Sequence, residues 1–328
     1  MTTTLYKSTE LSNERYHSSE FPQASGSQMA EIIDTCPAEY IGAERKESAA
    51  LINGTGLHCC VLEPKSFKEL YARGIDASEY PDALVTGKDL EGWCRDAGIK
   101  GFSGKKKEEL IAFIQANAGS ENVQIFDVII AEHEAANAGK TILKPDAYDM
   151  VIKMRSALKK GGYTFTPEMQ VEVSCISEIL KCRWDILVPA GEMAPDGTIT
   201  KNGEIWDLKS TINVKPEKFG MQSEKCLYWL KMALQHDLYE QHYGVAPDRV
   251  VLLAQSKKPP YLPQAYKLTR QQLEVGRDMY MGAYALLQEC LSTGVWHGYG
   301  GGVMDLPTSG RAAYEFGMDE DMVEFLED

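Results

Sequence analysis

Three β-rich runs follow one another between Met169 and Thr211: MQVEVSCI, KCRWDILVPA and EIWDLKST. Only turn-rich sequence, such as Pro195-Asp196-Gly197 and Asn202-Gly203, separates them. Runs of this kind read as consecutive strands, which usually pair as neighbours, so the chain must build a sheet here. A helical pattern over 146–160 precedes them, and another from Ser223 to His242 follows. DRVVLLAQS and QAYKLT then read as two more strands, and Arg270–Cys290 as a closing helix. The order predicts an α/β (α+β) layered domain with a mixed central sheet flanked by helices. No repeat of fixed period is present.

Each of the three runs carries an acid among apolar neighbours: Glu172, Asp185 and Asp207. Side chains alternate along a strand, so Asp207 and Lys209 share one face while Trp206 and Leu208 point to the other. Antiparallel pairing can gather the carboxylates at one end of the sheet. Gathered carboxylates repel unless a cation joins them, and hard oxygen ligands suit Mg²⁺ or Mn²⁺. A lysine two residues from a metal-bound aspartate can position a water or neutralise charge building on phosphorus. Taken alone, the D-x-K pair reads as a cross-strand salt bridge on a solvated face. His58 alone reads as a satisfied core histidine, and Gln235 and Tyr239 as helix packing.

The accompanying pattern changes that reading. Asp185, then Asp207-x-Lys209 on a following strand, resembles the signature of the PD-(D/E)xK nuclease superfamily. Gly54-Thr-Gly-Leu-His58 is similar to the G-x-x-x-H motif of its RecB/RecE branch, and Gln235-His-Asp-Leu-Tyr239 to the Q-x-x-x-Y motif on the helix after the D-x-K strand. The motifs stand in the family's order from about Ser25 to Cys290, and GTGLHCCVLEP and WDLKST look most like the phage-borne RecE-like exonucleases. The resemblance implies a PD-(D/E)xK core. It implies His58, Asp185, Asp207 and the Leu208 carbonyl as metal ligands and Lys209 as the catalytic lysine. Gln235 and Tyr239 would border the site, and Glu172 would contribute an acid, as that strand does in some relatives. It further implies a Mg²⁺- or Mn²⁺-dependent exonuclease acting on double-stranded DNA ends, 5′ to 3′, within a ring-shaped homo-oligomer and beside a single-strand annealing protein. An endonuclease on the same fold and a catalytically inert DNA-binding scaffold are the alternatives. Only Cys226 and Cys290 follow the D-x-K strand, which argues against the iron–sulfur cluster of one subgroup.

Three further segments bear on organisation. Residues 1–26 are polar and expected to be loosely ordered, then turn-like. The nuclease domain is expected over 27–304, with helices starting near Ser27 and over Glu47–Leu62, and Pro37 interrupting between them. The costly Gly54 and Gly56 suggest close packing there. Within that domain, residues 84–120 resemble a SAP-type helical insertion, with Leu90, Trp93, Leu110, Phe113 and Ile114 as its core. Ser103, Lys105 and Lys106 are its candidate phosphate contacts. Ser25 and Ser27 either hold a terminal phosphate or simply cap a helix. Residues 305–328 form an acidic tail of eight acids against Arg311, half of the net charge of −14. That balance argues against non-specific coating of nucleic acid, though not against a locally basic groove. With no apolar run of membrane-spanning length and a polar N-terminus, the expectation is a cytoplasmic protein with no membrane partner.

Overall fold

A computed structural model describes residues 2–43, 49–117, 123–300, 302–304 and 306, without the side chains of residues 49–51 and 53. Apart from Leu306, the acidic tail lies outside the described residues. The chain begins with β1 (Thr4–Tyr6), α1 (Asn13–Tyr16) and β2 (Ala24–Ser25). Ser25 caps α2 (Gly26–Asp34): its hydroxyl accepts from the Gln28 amide, while the Gln28 side chain accepts from the Ser25 amide. Pro37 restarts the chain as α3 (Pro37–Gly42), where its missing N–H is no loss. Then come α4 (Ala49–Leu62), α5 (Pro64–Leu70) and β3 (Tyr71–Arg73). The next elements are α6 (Gly87–Asp96), α7 (Lys107–Asn117), α8 (Phe126–Ala136) and β4 (Thr141–Leu143), which pairs with β3 in a small parallel sheet.

After α9 (Pro145–Lys160) the expected meander appears as β5 (Gln170–Ile176), β6 (Leu180–Val188) and β7 (Glu204–Thr211). It is followed by α10 (Pro216–Lys225), α11 (Tyr228–Tyr243), β8 (Arg249–Ser256), β9 (Pro263–Lys267) and α12 (Arg270–Thr293). The main sheet runs β1-β5-β6-β7-β8-β9, with β2 also on β6. The meander is antiparallel. β7 and β8 are parallel because α10 and α11 carry the chain back to the other end.

Two apolar cores sandwich this sheet. On one face α2, α11 and α12 bury Met29, Trp184, Leu234, Leu252 and Ala283. On the other, α4 and α9 bury Leu57, Met154, Trp206 and Leu253. The result is the expected mixed sheet flanked by helices. A third, small core of Leu90, Cys94, Leu110, Ile114 and Ile125 joins α6 to α7, with Trp93 and Phe113 against its edge. Among the described residues, no helix is long and apolar enough to cross a membrane.

Several expectations need correction. The N-terminal segment is structured: β1 pairs with β5, and Leu11 and Tyr16 are buried. Strands of two or three residues leave no periodic signal, and β3 and β4 escaped notice for the same reason. The single long helix after β7 is two helices, broken at Leu227, which takes a left-handed φ of 52°. Apolar periodicity runs on through such a break because both helices face one core. Gly56 does serve packing, since a Cβ there would sit 3.3 Å from Leu143, but a Cβ at Gly54 would meet nothing within 4 Å.

Candidate active site

β6 pairs with β7 only through Ile186↔Trp206, Leu187↔Ile205 and Val188↔Glu204. The next pair in that register would be Asp185 opposite Asp207, and there the strands part. On the same edge of β6, pairing resumes only where β2 meets Leu180 and Lys181. A wedge opens between. In place of a ladder bond, the Leu208 amide donates to Asp185 Oδ2 at 2.7 Å. On the other side of β6, Glu172 stands opposite Asp185, between the pairs Val171↔Ile186 and Val173↔Trp184. Glu172, Asp185 and Asp207 therefore form one row across three adjacent strands.

The sheet turns over at this row. Val171 and Ile186 pack toward α4 and α9, whereas Val173 and Trp184 pack toward α11. Strict alternation would keep 171 and 173 on one face. Glu172 makes the reversal with a φ of 52°, a left-handed conformation that a glutamate adopts only when its surroundings impose it.

α4 brings His58 to the row, with Nδ1 3.4 Å from Asp185 Oδ2. Ligand atoms of His58, Glu172 and Asp185 all lie within 4.8 Å of one another. Asp207 Oδ2 touches the Lys209 ammonium, in a geometry that satisfies no hydrogen bond. Lys209 Nζ also stands 5.5 Å over the Tyr228 ring. Asp185 and Asp207 are only 8% and 5% exposed, so their charges are poorly solvated.

Electrostatics register the crowding. Burial, then the charge of Asp185, pushes the Glu172 carboxyl up to about 8. Burial and Asp207 raise Asp185, against the opposing pull of His58 and Lys209. Burial opposes the charge on Lys209, but Asp207 and Asp185 outweigh it and hold the amine protonated. The row is short of positive charge even with this lysine in place. Crowded carboxylates beside an imidazole nitrogen form a donor set that fits a divalent cation such as Mg²⁺ or Mn²⁺.

Two cavities meet at the row. The larger, about 710 Å³, is lined by Gly54, His58, Glu63, Glu172 and Asp185. The smaller, about 240 Å³, is lined by Ser25, Ser27, Asp207, Lys231 and Gln235. Gln235 is 7% exposed, and its Oε1 has no hydrogen-bond partner. His58, Asp185, Asp207, Lys209, Glu172 and Gln235 are thus brought together, with Leu208 on the wall of the larger cavity. Ser25 is engaged as a cap, as the plainer reading had it, yet it and Ser27 still face the smaller cavity. Tyr239 is a correction. Its hydroxyl donates to the Asn202 carbonyl and its ring packs on Trp184, so it steadies the start of β7 and lines neither cavity. Ser103, Lys105 and Lys106 line neither cavity. Lys105 Nζ lies 5.3 Å over the Phe113 ring, and the Lys106 amide donates to Glu109. Two cationic residues went unremarked: Lys231, one helical turn before Gln235, and Arg183, two residues before Asp185. The K-x-x-x-Q and R-x-D spacings carried the signal.

Residues 25–305 match the family model of a PDDEXK-like domain of unknown function (DUF3799). No curated protein matches the chain. A crystal structure from Eubacterium rectale, provisionally described as an exonuclease, aligns over 91% of this chain and 96% of that one, with 13% identity and a TM-score of 0.46. A likeness that low carries no argument about activity.

Proposed function

Because this chain belongs to the DUF3799 family of PDDEXK-like domains, we propose that it is a metal-dependent exodeoxyribonuclease of RecE-like type. It digests linear duplex DNA from its ends, 5′ to 3′, and leaves 3′ single-stranded tails. The observation that carries the reading is the row Glu172–Asp185–Asp207 at the parting of β6 and β7, with Lys209 against it. His58, Glu172, Asp185, Asp207 and the Leu208 carbonyl would hold Mg²⁺ or Mn²⁺. The ion would supply an activated water and charge stabilisation on the phosphate. Lys209, protonated, faces the charge that builds on the phosphoryl oxygens. Gln235 offers its amide to the same space, and Lys231 and the first turn of α2 offer positive potential to a neighbouring phosphate. A role in phage or prophage recombination, a ring-shaped homo-oligomer and a single-strand annealing partner complete the proposal. All three rest on the resemblance to RecE-like enzymes.

The test is digestion of end-labelled linear duplex and of a covalently closed circle, with Mg²⁺, with Mn²⁺ and with chelator. The linear form should be degraded only with metal, with 5′ label released first and the circle left intact. Asp207→Ala should slow digestion by about a thousandfold. Cutting of the circle as fast as the linear form would replace this reading with an endonuclease. No cutting with either metal would leave an inert DNA-binding protein.

A further inference from the structure

The N-terminal segment spans the site from one wall to the other. At its beginning, Ser8 Oγ donates to Glu63 Oε1 at 3.0 Å, reaching the end of α4. At its end, Ala24 and Ser25 pair with β6. In between, two β6 cations tie it down. Arg183 donates to Asn13 Oδ1 at 3.2 Å and to the Leu11 carbonyl at 3.0 Å. The buried Lys181 donates to the carbonyls of Tyr16 at 2.7 Å and Phe21 at 2.6 Å. The Tyr16 ring lies 4.7 Å from Lys181 Nζ and 4.6 Å from Arg183 Cζ. Such charge-assisted, part-buried bonds make a strap rather than a fraying end.

The same strap bounds both cavities. Asn13 and His17 line the larger and the smaller alike, as do Asp185 and Lys209. The two spaces therefore join at Asp185 and Lys209, with Asn13 and His17 forming the shared strap-side wall. The larger cavity, about 710 Å³, has the size of a small-ligand site, and with the smaller, about 240 Å³, it offers room for a few nucleotides of one strand.

We propose that this strap makes the catalytic row a passage that a single strand must enter end-first. The strand runs between the cavities past Asp185 and Lys209, and the strap, rather than recognition of a terminus, excludes closed strands. The inference rests on the nuclease reading above.

The test uses one oligonucleotide sequence as a linear single strand and as its ligated circle, with Mn²⁺. Wild type should digest the linear form and refuse the circle, although the circle is flexible and needs no melting. Lys181→Met replaces no residue that lines either cavity and removes two of the strap's ties to β6, the bonds to the Tyr16 and Phe21 carbonyls, while those to Arg183 remain. It should raise the rate on the circle by at least about tenfold, the worth of one of the two charged hydrogen bonds it removes, with the linear rate little changed. Equal wild-type rates on the two forms would overturn the proposal, as would a folded Lys181→Met that refuses the circle as strictly as wild type. If Lys181→Met does not fold, Ser8→Ala, which removes the tie to Glu63 and one hydroxyl from the wall of the larger cavity, decides on the ratio of circle to linear rates in the same direction. Failure of wild type to cut either strand or a linear duplex would instead overturn the nuclease reading on which the passage depends.

Discussion

Glu172 was the least constrained of the acids in the sequence, yet it bends β5 over and adds its carboxylate to the row. Its titration has a sign that can be measured. The carboxyl is raised from an ordinary 4.5 to about 8 by burial and then by Asp185. Below 4.5 both folded and unfolded chains hold the proton. As pH climbs from there through about 8, the unfolded chain releases it first, so stability falls. In chelator, the melting temperature should therefore drop between pH 5 and 8, and Glu172→Gln should flatten that part of the slope. Mn²⁺ should raise the melting temperature more at pH 8 than at pH 5. A flat profile for wild type in chelator would contradict the buried row. Two neighbours on α11 separate by role. Tyr239→Phe should cost about 1 kcal/mol of stability in urea titration and leave cleavage within about twofold, because only its bond to Asn202 is lost. Gln235→Ala should slow cleavage with little loss of stability. Alternation put Asp207 and Lys209 on one face of a strand, but only the resemblance to the PD-(D/E)xK motifs singled them out, with Asp185, as a site. Lys231 was marked only by its K-x-x-x-Q spacing from Gln235, since a lysine on a helix reads as solvent-facing until the helix is placed against α2. The reversal at Glu172 leaves no mark in residue type at all.

The strands of the meander were legible because their apolar runs are bounded by Gly and Pro turns, and β8 because Val250–Ala254 is an unbroken apolar run. What stayed hidden were features made by the backbone: the three-residue β1, the break at Leu227 and the parting of β6 from β7. That parting gives the site its opening, and α11, which carries Gln235 beside it, is packed from behind by α12. The contact is close enough that Gly276 has no room for a side chain: a Cβ there would lie 2.2 Å from the Trp229 carbonyl oxygen. Gly276→Ala should push the two helices apart and destabilise the protein by about 2–3 kcal/mol, read as a lower urea midpoint with unchanged slope. An unchanged midpoint would mean that α12 does not brace α11 as described.

The whole molecule combines a sheet with helices on both faces, a strap across the site and a small helical unit with its own core. Leu84 bridges Ile125, so the chain enters and leaves the α6–α7 unit at one place. Replacing residues 86–123 by a short Gly-Ser link should preserve the main fold, by circular dichroism and melting. If the unit holds DNA through Ser103, Lys105 and Lys106, the link should also weaken duplex affinity and flatten its salt dependence. Unchanged affinity at two salt concentrations would assign that unit another task. The central claim is that the row of carboxylates exists to hold a divalent ion beside Lys209, and anomalous diffraction from crystals soaked in Mn²⁺ reads it most directly. An anomalous peak is expected within about 2.3 Å of an Asp185 oxygen, and it should be lost in Asp185→Ala. A saturated crystal with its Mn²⁺ elsewhere, and none between His58, Glu172 and Asp185, would contradict it.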